Sequence, residues 1–164
     1  MRTGYILAQK NYSFFGNQIR KLTKCEYSHV GVFVDEDNIV EAKMTGVAKT
    51  PFSTFEKYRV EGKIEFDLFK FKRITERKKW GMITFLNDQV GKRYDMLQMV
   101  VVGFMIAFNF NRKIGPFEIN DAFTCSEIVA EAANSVGIQF STLIDVDGIT
   151  PADTLNSDLV AKVG

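Results

Sequence analysis

The feature that most constrains this chain is a change of hydrophobic period along its length. Lys63 to Phe71 alternates Ile64, Phe66 and Leu68 on one face with Lys63, Glu65 and Asp67 on the other, the period of a half-buried strand. Gly4 to Ala8, Ser28 to Val34, Ile39 to Ala42 and Thr45 to Ala48 also have strand character, and Asp35-Glu36-Asp37-Asn38 reads as the turn of a hairpin. One short helix over Asn17 to Lys24, turning Ile19 and Leu22 inward, interrupts this half, and Pro51 to Tyr58 is a turn or short helix. The second half is helical. Thr75 to Val90 offers Trp80, Ile83, Phe85, Leu86 and Val90 as apolar positions before Gly91, with Gly81 as a weak point. Cys125 to Val136 ends at Gly137, with Ile138 set to pack back as in a Schellman motif, and Thr150-Pro151-Ala152-Asp153 is a threonine-capped helix start. A chain with strands early and helices late belongs to the α+β class.

A length of 164 residues suits one domain, residues 1–164, with a real hydrophobic core. With 21 basic and 20 acidic side chains the formal charge is +1, which gives no support for bulk nucleic-acid binding by electrostatics. The basic run Lys70, Lys72, Arg73, Arg77, Lys78, Lys79 reads as a solvated face, with contact to phosphates or an anionic membrane as the alternative. The first ten residues contain too short an apolar run for a signal peptide, so a cytoplasmic or membrane-peripheral location is expected. Met96 to Phe110 is almost wholly apolar. As a helix it would span about 22 Å, short of the roughly 30 Å hydrocarbon core, and it reads as a buried helix or as a surface for lipid, a second subunit or an apolar substrate. Cys25 and Cys125 are read as free thiols, and one histidine with two separated cysteines argues against a zinc cluster or other metal cofactor.

Chemistry concentrates at Cys125. Thr124 and Glu127 have capping-box spacing, which starts a helix at Thr124 and places Cys125 in its first turn. Unpaired N–H groups and the aligned peptide dipoles at a helix start favour a thiolate and lower the thiol pKa from about 8.5. His29, the single histidine, is the one imidazole able to exchange a proton with it. Glu41 is an acidic residue in a run otherwise suited to burial, and a buried carboxylate requires a partner. Glu41 shares a sheet face with His29 if Gly31 opposes Glu41 across a three-residue Asp35-Glu36-Asp37 loop; a two- or four-residue loop puts it on the other face. Cys25, which lies before the strand and has no helix start behind it, reads as structural.

The strings Tyr27-Ser28-His29-Val30-Gly31-Val32, Ile39-Val40-Glu41-Ala42, Gly91-Lys92-Arg93-Tyr94-Asp95, Phe123-Thr124-Cys125-Ser126-Glu127-Ile128-Val129 and Ile149-Thr150-Pro151-Ala152-Asp153 resemble the circularly permuted branch of the NlpC-like papain-fold superfamily. That branch includes cell-wall amidase-like proteins and relatives of lecithin retinol acyltransferase. The resemblance implies a circularly permuted papain-like fold, a small antiparallel sheet bearing His29 and Glu41 packed against helices, and a cysteine hydrolase of peptidase or amidase type, with Cys125 as nucleophile, His29 as base, Glu41 as the third polar residue and Tyr94 near the oxyanion. Its substrate would be a peptide, amide or acyl compound, with a peptidoglycan-type peptide foremost, attacked through an acyl-cysteine intermediate without a cofactor. Acyl transfer or lipid-directed hydrolysis is the enzymatic alternative. A noncatalytic membrane-peripheral or protein-binding module is the other.

Overall fold

A computed structural model describes residues 1–94, 122–141, 144 and 146–163. Its centre is a six-stranded antiparallel sheet built from β1 (Ile6–Asn11), β2 (His29–Phe33), β3 (Asn38–Lys43), β4 (Gly46–Pro51), β5 (Ile64–Phe71) and β8 (Val160–Lys162), in the order β4-β3-β2-β1-β5-β8. The two central strands, β1 and β2, are each buried over four residues, as strands covered on both faces must be.

On one face lies the main core. Ile6, Ala8, Val30, Val32, Val40 and Ala42 project from the strands onto α3 (Glu76–Asp88) and α4 (Cys125–Asn134). On the other, Leu7, Phe33, Ile39 and Ile64 meet Phe52 and Phe55 of α2 (Phe52–Val60) in a smaller core. β5 serves both: Ile64, Phe66 and Leu68 face α2, whereas Phe69 and Phe71 enter the main core. The half-buried strand expected from alternation is therefore apolar on opposite faces in its two halves. Asp67, on the main-core side, is held at the margin by the Tyr27 hydroxyl at 2.7 Å and by Lys162 at 2.9 Å.

Helix boundaries follow their local chemistry. Ser13 accepts from Gly16 N–H to cap α1 (Phe14–Thr23), and Thr75 accepts from Lys78 N–H to cap α3. Two of the apolar positions expected in a helix over Thr75 to Val90 are on the surface, and Val90 lies beyond the end of α3. Trp80 is 54% exposed and Val90 is also exposed, while Met82, Ile83 and Leu86 form the buried stripe. Gly81 has a packing role: a Cβ there would stand 2.8 Å from Val136 Cγ1, so its absence lets the chain after α4 approach α3 closely. The end of α4 is the expected Schellman motif, with Ile138 N–H bonded to Ala133 O, Gly137 N–H to Asn134 O, and Gly137 at φ +70°.

In the basic run, Lys79 pairs with Glu76 at 2.8 Å, Lys78 donates to Gly137 O, and the interleaved Phe69 and Phe71 are buried. The apolar segment Met96 to Phe110, with the lipid, subunit and substrate contacts proposed for it, lies outside the described residues. Among those that are described, no helix is long and apolar enough to cross a membrane.

Candidate functional site

Two pieces of backbone converge on the site. The first is the β2/β3 hairpin. Val32 opposes Val40 and Phe33 opposes Ile39, and Val34 N–H bonds to Asn38 O, so the loop is the three-residue Asp35-Glu36-Asp37 and Gly31 falls opposite Glu41. That register puts His29, Gly31, Glu41 and Lys43 on one face. Gly31 is required there. A Cβ on it would approach Ile39 Cγ2 to 2.7 Å and Glu41 Cβ to 3.1 Å, displacing the carboxylate that has to reach His29.

The second piece is the start of α4. Thr124 Oγ1 accepts from Glu127 N–H at 3.3 Å and Glu127 Oε2 accepts from Thr124 N–H at 2.8 Å, a complete capping box. A two-stranded parallel ladder of β6 (Arg93–Tyr94) and β7 (Ala122–Phe123) leads into it. The Ser126 hydroxyl donates to Ile149 O at 2.7 Å, which ties this turn to the chain preceding α5 (Pro151–Leu155). Cys125 is thereby fixed in the first turn against β2, buried, with the backbone N–H groups of Val30 and Ser126 directed at its sulfur.

Cys125, His29 and Glu41, far apart in the chain, are brought together. His29 Nε2 donates to Glu41 Oε2 at 2.7 Å, leaving Nδ1 as the ring nitrogen available to the sulfur. Glu41, with only 7% of its side chain exposed, also accepts from the Thr50 hydroxyl through Oε1 at 2.6 Å, and Lys43 Nζ stands 3.7 Å from the same oxygen. Burial disfavours the carboxylate, but these three partners together hold its pKa below the ordinary glutamate value. Burial likewise opposes charge on His29; the neighbouring Cys125 thiolate and Glu41 overcome it and raise the imidazole to about 10. Burial would raise the Cys125 thiol, yet the His29 cation and the two backbone donors lower it. Each partner of the pair thus favours the charged form of the other. Cys25, by contrast, is half-buried and burial pushes its thiol up.

Tyr94 is placed differently. Its ladder partner is Phe123, so it stands beside the backbone entering α4 and packs against the main core, and the residue two before it, Lys92, accepts from Val47 N–H on the strand next to Glu41's. Thr50 and Lys43 were not singled out from sequence. Lys43 is two residues beyond Glu41 on the same face, a signal that alternation carries; Thr50, diagonal to Glu41 across β3 and β4, required the register.

No protein-family model matches this chain, and no curated protein sequence matches it. The fold is similar to that of a bacterial metalloprotein. The solved structure described as metalloprotein YiiX from Escherichia coli O157:H7, DUF1105, matches with a TM-score of 0.71 over 99% of this chain and 96% of its own, at 18% identity. This likeness overturns the circularly permuted NlpC-like papain fold expected from the sequence strings and assigns the fold to the type seen in YiiX. The cysteine peptidase or amidase acting through an acyl-cysteine, with its acyl-transfer alternative, was an implication of the papain-like family and is corrected with it. The strings misled for a physical reason. Thr124 to Glu127 and Thr150 to Asp153 are capping boxes, and Ile39 to Ala42 is hairpin alternation; each encodes local structure that many α+β folds need.

Among the described residues no group of three or more His, Cys, Asp or Glu side chains is placed to hold a metal ion. Cys125 and His29 would supply two donors while Glu41 is engaged with the imidazole, fewer than the three protein ligands of a catalytic zinc centre. These residues do not fit such a centre.

Proposed function

We propose that this protein acts through an ionised thiol: the Cys125 thiolate displaces a leaving group from an electrophilic carbon of a ligand, the carbon–sulfur bond forming as the leaving group departs with the electron pair of the broken bond, while His29 retains the proton taken from sulfur and Glu41 fixes the imidazole. The observation that carries this reading is the buried series Cys125, His29, Glu41, Thr50 at a helix start, in which the thiol is lowered although burial opposes it. A cysteine packed only for its volume would need no cation beside it and would be raised, as Cys25 is. The His29 cation and the N–H groups at the start of α4 stabilise the anion before the electrophile arrives, so the nucleophile does not await deprotonation.

Alkylation by iodoacetamide tests this directly, because a carbon–sulfur bond forms, iodide leaves and the rate follows the thiolate. In a Cys25→Ala background, Cys125 should titrate below the roughly 8.5 of a free thiol. His29→Ala should raise that midpoint and slow reaction at pH 7 by about tenfold or more, which corresponds to one pKa unit. Prior treatment with EDTA should leave both profiles unchanged. A midpoint of 8.5 or higher that is indifferent to His29 would sink the proposal.

A further inference from the structure

On the α2 side of the sheet, next to the ion pair, lies a cleft of about 750 Å³ that the thiol does not line. Its floor is formed by Gln9, His29, Glu41, Lys43 and Thr50, and its far wall by Tyr12, Phe55 and Tyr58. Three features of this floor point to a ligand. Gln9, the strand partner of His29, is 8% exposed, and among the described residues its carboxamide makes no hydrogen bond, while its main chain is paired in the sheet and its carbonyl accepts from Ser28. Lining the cleft, this carboxamide offers a ligand both a donor and an acceptor. Lys43, with 42% of its side chain exposed, spends one N–H on the Thr50 hydroxyl at 3.2 Å and keeps donors for the cleft. Glu41 presents little negative charge to the opening, since it is buried under His29, Thr50 and Lys43. The rest of the lining sets the aromatic rings of Tyr12, Phe55 and Tyr58 and the side chain of Ile64 among the polar Asn11, Ser13, Thr54 and Lys63.

We infer that this cleft binds a small carboxylate that also carries an amide and an apolar side chain, the chemistry of an N-acylated amino acid. The carboxylate pairs with Lys43, the amide exchanges hydrogen bonds with the Gln9 carboxamide, and the side chain lies on Phe55 and Tyr58. Free acyl amino acids and peptide C-termini share this chemistry. The inference does not depend on nucleophilic chemistry at Cys125.

The test is a nuclear magnetic resonance titration of the full chain, as wild type and as Cys125→Ala, with N-acetylphenylalanine as probe. Saturable shifts are expected at the Gln9 side-chain amide and at the backbone amides of Thr50, Thr54 and Ile64, equally in both proteins. N-acetylphenylalaninamide, which lacks the carboxylate, and 3-phenylpropionate, which lacks the amide, should each bind about tenfold more weakly. Lys43→Met should abolish the preference over the first analogue and Gln9→Leu the preference over the second. A dipeptide ending in phenylalanine binding as tightly as the probe would identify a peptide C-terminus as the source; weaker binding would identify the free acyl amino acid. Absence of saturation, shifts mapping elsewhere, or variants that weaken all three probes alike would overturn the assignment. Loss of thiol reactivity with intact probe binding would overturn only the Cys125 reading.

Discussion

The two faces of the sheet are made by alternate residues of the same strands and have opposite characters. On the main-core face, Ile6, Ala8, Val30, Val32, Val40 and Ala42 are fully buried beneath α3 and α4, with no ionised group among them. On the α2 face, Leu7, Phe33 and Ile39 close a core at one end, while Gln9, His29, Glu41, Lys43 and Thr50 occupy the other. The difference teaches that one hairpin can supply stability and chemistry without compromise between them, because a period of two separates the roles residue by residue. Cys125 belongs to the first face by packing and to the second by charge.

Substitutions should separate the faces by size of effect. Leu86→Ala, in the main core, should lower stability by about 2–5 kcal/mol, read as the denaturant midpoint, and leave His29 titrating near its wild-type value. A shift of His29 in that variant would break the division. Gly31→Ala should cost about 1–3 kcal/mol through overpacking and, unlike Leu86→Ala, should lower the His29 pKa by pushing Glu41 away. Unchanged titration of the ring would show that Glu41 tolerates the methyl group.

Two smaller effects sharpen the contrast. Thr50→Val removes one hydrogen bond to Glu41 and should cost about 1 kcal/mol with a modest fall of the His29 midpoint, followed by the ring carbon resonances. Trp80→Ala should change stability by less than about 0.5 kcal/mol, since the indole is on the surface; a core-sized loss would contradict its exposure. Alkaline titration provides a fifth test. Folding raises His29 from 6.5 to about 10, so its contribution to stability is complete below pH 6.5 and is lost as pH rises through about 10. Denaturant midpoints measured from pH 8 to 11 should fall in wild type, and His29→Ala should lack that component of the slope.

Much of this was legible in the residue order, and the failures have identifiable causes. The capping box at Thr124 and Glu127, the Schellman end at Gly137 and Ile138, and the strand that carries His29 depend on neighbours within a few residues, and each is present. The loop of Asp35 to Asp37 was one of several open alternatives; hydrogen-bond register chose it. Trp80 counts by residue type among the apolar positions of its helix, yet α3 turns Met82, Ile83 and Leu86 inward and leaves the indole beneath Lys79. Thr50 depended on pairing between β3 and β4, a nonlocal property. The fold family itself was misjudged because short strings that specify caps and turns do not specify how layers are stacked.

The short strand β8 deserves a consequence of its own. Val160 to Lys162 pairs with Phe69 to Phe71, and without it that half of β5 would present bare amide and carbonyl groups beside two aromatic side chains. Exposed rows of this kind recruit strands from neighbouring molecules. Three residues near the end of the chain therefore act as a guard on solubility, and a chain shortened before Val160 would be expected to self-associate even with its thiol and its cleft intact.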